Sequence, residues 1–198
     1  MAYAIVMGFS AVAERLETTP ARGERPQQIL RAARQLLEQA GPAGVSMRRI
    51  AHRIGIRAPS LYKHFPDKSA VEAALTAQAL QELAEALEAA EAADGPAALT
   101  DLTAAYRSYA LAHPQMYRLI ATQPLERAAL PDGLEQRAAA PLLRATGGDI
   151  DIARAVWAFA HGMVMLELNK RFPPDADVDA AWRTGCAVFQ RTNRRNPR

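Results

Sequence analysis

The stretch Ser46–Lys68, SMRRIAHRIGIRAPSLYKHFPDK, decides the fold of this chain. Ser46 is a suitable N-cap residue, and apolar residues recur at helical spacing in the segment that follows. Gly55 suits the left-handed conformation that ends a helix, and Pro59 suits the first turn of the next helix. The pattern predicts two short helices joined by a tight turn, with the second over about residues 58–64. A helix-turn-helix of this size fits a DNA major groove.

The second helix is too short to be stable by itself, so it must pack against the first. We expect Leu61 and Phe65 to be its buried anchors. The remaining positions would then form an outward face that is basic and polar: Arg57, Ser60, Tyr62, Lys63 and His64.

The longer sequence IAHRIGIRAPSLYKHFPDKSAVEAAL is similar to the DNA-binding signature of the tetracycline-repressor (TetR) family of bacterial transcription regulators. The matching positions are Ile50-Ala51, Gly55, Leu61-Tyr62-x-His64-Phe65 and Lys68. The resemblance implies an all-α homodimer of about nine helices per chain. Each chain would have an N-terminal three-helix helix-turn-helix DNA-binding domain and a C-terminal helical ligand-binding and dimerisation domain. The implied partner is double-stranded DNA with a pseudo-palindromic operator.

This resemblance also assigns roles in DNA binding. It makes Tyr62 and Lys68 phosphate contacts, through a phenol hydroxyl and an ammonium group near a helix start, and a packed core aromatic is the alternative for Tyr62. Two further residues, Ser46 and Arg48, are candidates for phosphate contacts at the start of their own helix, with plain capping and solvation as the alternative. The candidates for base contacts are Arg57, Ser60 and Lys63, because Arg and Lys suit guanine O6 and N7. The remaining candidates are Ala58 and Pro59, which would offer methyl contacts, and His64, which is either a contact or a structural residue.

The distribution of charge agrees with DNA binding by the N-terminal third of the chain. The net charge is only +3, but residues 1–68 contain 11 basic and 5 acidic side chains, whereas the other residues contain 13 basic and 16 acidic side chains. This asymmetry predicts that the first third binds a polyanion. An ordinary solvated surface is the alternative that charge alone leaves open.

The order of helical and flexible segments predicts the domain organisation. Residues 1–25 form a flexible N-terminal extension and residues 26–70 the helix-turn-helix domain, which begins with a helix from Pro26 to Ala40. A long helix then runs to about Ala92 and connects the domains. We assign residues 71–192 to the ligand-binding and dimerisation domain and residues 193–198 to a basic tail.

The segment IDIARAVWAFAHGMVMLEL, which Asp149 caps, is apolar nearly all round. Such a helix is buried on both sides, so one side needs a partner, and we expect a second copy of the chain. Its Trp157-x-x-x-His161-Gly162 arrangement resembles a TetR subgroup marked by a Trp-His-Gly pattern.

Aromatic and polarizable residues in the C-terminal half are candidates for lining a ligand cavity. They suit a small apolar or amphipathic effector with one polar group. A plain hydrophobic core is the alternative for these positions. The candidates are Tyr106, Tyr109, Met116, Tyr117, Trp157 and His161.

The sequence therefore predicts a homodimeric repressor that a small molecule releases from its operator. The alternatives are a dimeric DNA-binding regulator without a ligand pocket and, far behind, an enzyme. Cys186 is the single cysteine and the four histidines lack metal-ligand spacing, so we expect no catalytic centre, metal or cofactor. No apolar run reaches the roughly 18 residues of a membrane span, and we expect a cytoplasmic protein without a membrane partner.

Overall fold

The computed structural model of the chain describes residues 24–92 and 99–195. Regular structure within these residues is entirely helical, which confirms the predicted all-α fold with its nine helices. The predictions for residues 1–23, 93–98 and 196–198 fall outside the described residues. The α-helices are α1 Glu24–Ala40, α2 Met47–Arg53, α3 Ala58–Leu61, α4 Lys68–Ala92, α5 Leu99–Ala112, α6 Pro114–Thr122, α7 Leu134–Ala145, α8 Ile150–Leu168 and α9 Val178–Arg195.

Local sequence signals set the ends of the first three helices. Gly41 follows α1 in the left-handed region with φ 65°, and Gly55 does the same after α2 with φ 69°. The Ser46 hydroxyl caps α2, where it accepts the backbone N–H of Arg49 at 3.2 Å. The predicted helix-turn-helix is thus present, with its elements at the expected positions.

The second helix of the motif is shorter than predicted. Its regular part ends at Leu61, and the chain continues to His64 as a turn. The N–H groups of His64 and Phe65 both donate to the Leu61 carbonyl at 2.9 Å, so the last turn is tightened. Leu61 is fully buried and Phe65 packs partly buried against the same core, as predicted.

The first core does not end with the helix-turn-helix. It also contains Val71, Leu75 and Ala79 from the first half of α4, whereas Leu83 and Leu87 from the second half belong to another core. Asp67 Oδ1 caps the start of α4 by accepting the N–H of Ala70 at 2.8 Å. The boundary predicted between residues 70 and 71 therefore lies inside a continuous helix and does not separate the two cores.

Helices α4 to α9 surround the second core, and ion pairs on its surface join α4 to α7. Arg137 Nε donates to Glu88 at 2.7 Å and Arg144 Nε donates to Glu91 at 2.6 Å. These hydrogen bonds hold the pKa of both carboxyl groups below their usual value.

Helix α8 is buried on one side only within this chain. Val156 and Val164 lie in the interior, whereas Trp157 is 55% exposed and Leu166 is 42% exposed. Val188 on the neighbouring α9 is 45% exposed. The two helices pack closely, because the Phe159 ring lies directly over Gly185.

Helix α9 continues to Arg195, so residues 193–195 of the predicted tail are helical. None of the helices in the described ranges is both long and apolar enough to cross a membrane.

Candidate functional site

Helix α3 and the turn after it present an exposed polar face. The packing of Leu61 fixes this face, because burial of that side chain turns its neighbours outward. Tyr62 is 52% exposed, which is unusual for a tyrosine and excludes the alternative of a packed core aromatic. Also exposed are Arg57, Pro59, Ser60, Lys63 and His64.

Two of the predicted DNA-contact residues are less free than the others. Ala58 is half-buried and packs against the first core, so only part of its surface is available to a base. Lys68 Nζ donates to the Pro42 carbonyl at 3.2 Å and pairs with Glu72 at 3.1 Å. These two partners set the orientation of Lys68 at the start of α4, and the third N–H of its ammonium group remains available for a phosphate.

The start of α2 carries the other two predicted phosphate contacts. Ser46 is half-buried, and its oxygen already accepts a backbone N–H, so only its hydroxyl proton is free to donate. Arg48 is fully exposed on the first turn. Seven of the ten predicted residues are exposed, and the other three, Ser46, Ala58 and Lys68, are half-buried.

The six predicted ligand-binding residues do not meet in one place. Four of them form a chain across α5, α6 and α8. The hydroxyl groups of Tyr106 and Tyr117 are 3.0 Å apart, and the Tyr117 hydroxyl is 3.0 Å from His161 Nδ1. The Trp157 ring lies 6.1 Å from the His161 ring, centroid to centroid. We call these four side chains the aromatic cluster.

Burial controls the ionisation of the aromatic cluster. It raises the pKa of Tyr106 and of Tyr117, and both stay protonated at neutral pH. Burial lowers the pKa of His161, so the imidazole is also uncharged at neutral pH. The cluster is therefore an uncharged hydrogen-bonded chain that runs from the interior to the exposed ring of Trp157.

The other two predicted ligand residues lie elsewhere. Met116 is fully buried in the first core, beside the DNA-binding helices. Tyr109 lies in the second core with Tyr106 and Tyr117, but its hydroxyl donates to Glu82 Oε2 at 3.3 Å and not to the aromatic cluster. The sequence grouped these residues by their aromatic or polarizable chemistry, whereas α6 directs the successive residues Met116 and Tyr117 into different cores.

None of the six predicted ligand residues lines either of two surface clefts in the described part of the chain. One, of about 370 Å³, lies between α1 and α2 and is lined by Leu36, Arg48, Arg49, His52 and Arg53. The other, of about 650 Å³, lies between α1, α4 and the segment before α7 and is lined by Gln27, Leu30, Ala74, Ala77, Gln78, Gln81, Glu82, Glu85, Ala129 and Pro131.

The first turn of helix α6 is hydrogen-bonded to α1. Glu38 of α1 accepts the backbone N–H groups of Gln115 at 3.3 Å and Met116 at 3.2 Å, so it caps α6 from another element. Nearby, Arg34 of α1 forms an ion pair with Glu82 of α4. Sequence reasoning missed these links, because the partners are 48 to 78 residues apart and no local pattern signals them.

Comparisons with known proteins agree with this geometry. A family model described as bacterial regulatory proteins of the tetR family matches residues 29–75. A second, described as a tetracyclin repressor-like C-terminal domain, matches residues 99–189. The chain belongs to the TetR family. The two matches together cover more than half of the chain. One corresponds to the predicted N-terminal helix-turn-helix part and the other to the predicted C-terminal part.

Among curated TetR-family proteins, the tetracycline repressor protein class A from transposon 1721 of Escherichia coli is 40% identical over 101 residues, which are 50% of this chain and 47% of that protein. The HTH-type transcriptional regulator YobS of Bacillus subtilis strain 168 is 29% identical over 100 residues, 50% of this chain and 52% of that protein. The chain spans about half the length of the curated relatives it matches.

Solved structures share the fold over more of the chain. A protein of unknown function from Rhodococcus sp. RHA1 has a TM-score of 0.71 and 26% identity, over 89% of this chain and 98% of that one. TetR from Acinetobacter baumannii AYE has a TM-score of 0.61 and 23% identity, over 84% of this chain and 95% of that one.

Proposed function

We propose that this TetR-family chain is a homodimeric transcriptional repressor that binds a pseudo-palindromic DNA operator through α3. The observation that carries the proposal is the exposed face of α3 and its following turn, held on a rigid core by Leu61. Arg57 and Lys63 on this face have the chemistry for guanine edges, and Tyr62 has the chemistry for phosphate.

The proposal of a homodimer rests on the uncovered side of α8 and α9. Trp157 and Leu166 are large apolar side chains that are 55% and 42% exposed in the single chain. A Cβ added at Gly162 would meet nothing within 4 Å, so this glycine leaves room at the same surface for another chain. An isologous contact through α8 and α9 would bury these residues and give the two-fold symmetry that a palindrome requires.

Selection of duplexes from a random DNA pool tests the proposal. We expect an enriched inverted repeat whose half-sites lie about one helical turn, or a multiple of it, apart. Equilibrium sedimentation of the same preparation at micromolar concentration should give a dimer. Enrichment of no sequence, or a monomer in sedimentation, would contradict the proposal.

Release by a small molecule is the second part of the proposal. A variant of TetR from Acinetobacter baumannii AYE has been solved in complex with minocycline and has a TM-score of 0.62 to this chain. In the present chain α6 supplies a physical connection, because Tyr117 belongs to the aromatic cluster and Met116 belongs to the core of the DNA-binding region. A ligand that favours a different position of α6 would shift the population towards a form that no longer fits the operator.

The aromatic cluster is the proposed effector site, and its hydrogen bonds would have to open to admit a ligand. The alternative is a regulator without a ligand pocket, in which Tyr117, a side chain with no exposed surface, is part of the plain core. Trp157→Ala and His161→Ala should both retain operator binding. Screening of apolar and amphipathic compounds, minocycline among them, for release of wild-type protein from the selected duplex distinguishes the two. Release that both variants abolish supports the cluster as the site, whereas release that both variants retain excludes it.

A further inference from the structure

The cleft between α1 and α2 has cationic walls. Four of its five lining residues are basic in character, namely Arg48, Arg49, His52 and Arg53, and all four come from α2. Its floor is the side chain of Leu36 from α1. Helix α2 contains no acidic residue to balance these cations. Only Arg48 belongs to the DNA-contact set that the sequence predicts.

The arginines of this cleft are free to bind an anion. Arg53 Nη1 donates to the amide oxygen of Gln39 at 2.9 Å, a neutral partner. No salt bridge in the described residues involves Arg48, Arg49 or Arg53. All four cleft residues from α2 are exposed.

The arginines of α2 destabilise this helix, and no ion pair in the described residues compensates for that. Arg49 and Arg53 are one helical turn apart, and like charges at that spacing destabilise a helix. Helix α2 has only seven residues, so it has little intrinsic stability to lose. Cations concentrated here without a protein counter-charge point to an anionic partner outside the chain.

The position of the cleft separates it from the base-reading face. Arg53 is bonded to Gln39 of α1, and the Arg49 guanidinium lies 3.5 Å from the point where a Cβ on Gly44 would be. Both arginines therefore lie on the side of α2 next to α1 and Gly44. Arg57 and Lys63, the residues that would read bases, do not line the cleft.

We propose that the α1–α2 cleft is a second, sequence-independent binding surface for DNA, which takes backbone phosphates outside the base pairs that α3 reads. This inference rests on the proposed DNA-binding function. Guanidinium groups pair with phosphate oxygens in a bidentate manner, and such contacts position a protein on DNA without reading sequence. Arg49 and Arg53 would be the contacting residues in each half of the dimer.

The test compares the salt dependence of DNA binding in charge-matched double variants. The probe is the duplex selected by the wild-type protein, extended with fixed flanking base pairs, in fluorescence anisotropy over a range of KCl concentrations. Each phosphate contact contributes about 0.9 to the slope of log K against log salt concentration. We expect Arg49→Gln/Arg53→Gln to reduce the slope by about 2 to 4 per dimer, since up to four contacts are lost. The ratio of affinities for selected and scrambled duplexes should stay unchanged.

The control is Lys170→Gln/Arg171→Gln, which removes the same charge from an exposed turn between α8 and α9. Its slope should match that of the wild type. A second variant, Arg53→Glu, should weaken binding on the extended duplex further than Arg53→Gln. Equal slopes for the arginine double variant and the control would overturn this inference. A wild-type protein with no preference for any duplex would instead overturn the proposed function.

Discussion

Replacement of Tyr117 by phenylalanine removes one oxygen atom from the centre of the aromatic cluster. That hydroxyl is 3.0 Å from both the Tyr106 hydroxyl and His161 Nδ1, and the Tyr117 side chain has no exposed surface. Tyr117→Phe keeps the ring and its packing. It leaves the other two polar groups without their shared partner.

An unsatisfied buried polar group costs about 1–3 kcal/mol, and we expect Tyr117→Phe to destabilise the fold by that amount. For a chain of this size, 1 kcal/mol corresponds to about 2–4 °C in melting temperature. The melting temperature should therefore fall by about 2–12 °C. Because a dimer melts at a concentration-dependent temperature, wild type and variant must be compared at one protein concentration.

Tyr62→Phe is the matched control, since it makes the same chemical change at an exposed position. Its melting temperature should stay within about 2 °C of the wild type, because surface substitutions change stability by less than about 0.5 kcal/mol. Its affinity for DNA should fall on all sequences alike, whereas Tyr117→Phe should bind DNA normally below its melting temperature. An unchanged melting temperature for Tyr117→Phe would refute the hydrogen-bonded cluster.

Two further substitutions and one titration probe the same helices. Gly185→Ala should destabilise the chain by about 1–3 kcal/mol, because the new Cβ would lie 2.5 and 2.8 Å from two Phe159 ring atoms and closer still to a third; thermal denaturation measures this. Gly162→Leu should leave the protomer folded by circular dichroism but weaken the dimer in sedimentation, because a Cβ at this position meets no atom of its own chain within 4 Å and a partner chain packed here would clash with the longer side chain. The free energy of unfolding should fall as pH drops below about 6.5, because burial lowers the pKa of His161 and the unfolded chain therefore takes up the proton first. Thermal melts of His161→Asn between pH 7 and 5 should lose this pH dependence.

The helix-turn-helix could be predicted from the sequence because the residues that signal it are close together in the chain. An N-cap serine, a left-handed glycine and a proline in the first turn each act within a few residues, and the structure confirms all three. The length of α3 was not readable, because the tightened turn at Leu61 depends on packing against the first core. Helix α4 passes through both cores without a break, so no local signal marks the residue at which one core ends and the other begins.

The C-terminal predictions depended on contacts that no local pattern encodes. The sequence assigned Tyr106 and Tyr117 to a cavity wall or to a hydrophobic core, and both are buried. It could not show that Met116 packs with α1 and α4, because that contact depends on how α6 crosses them. Glu38 caps α6 from a position 77 and 78 residues away in sequence, so this contact could not be predicted either.

Sequence preference at the α3 face tests the central claim most directly. The measurement is the affinity of wild type and Arg57→Ala for the selected duplex and for a set of single-base variants of it. We predict that wild type binds the selected duplex at least about 10³-fold more tightly than a scrambled one. Arg57→Ala should lose about 1–3 kcal/mol of discrimination at one base position in each half-site and keep it elsewhere. Equal affinity of the wild type for selected and scrambled duplexes would contradict the account.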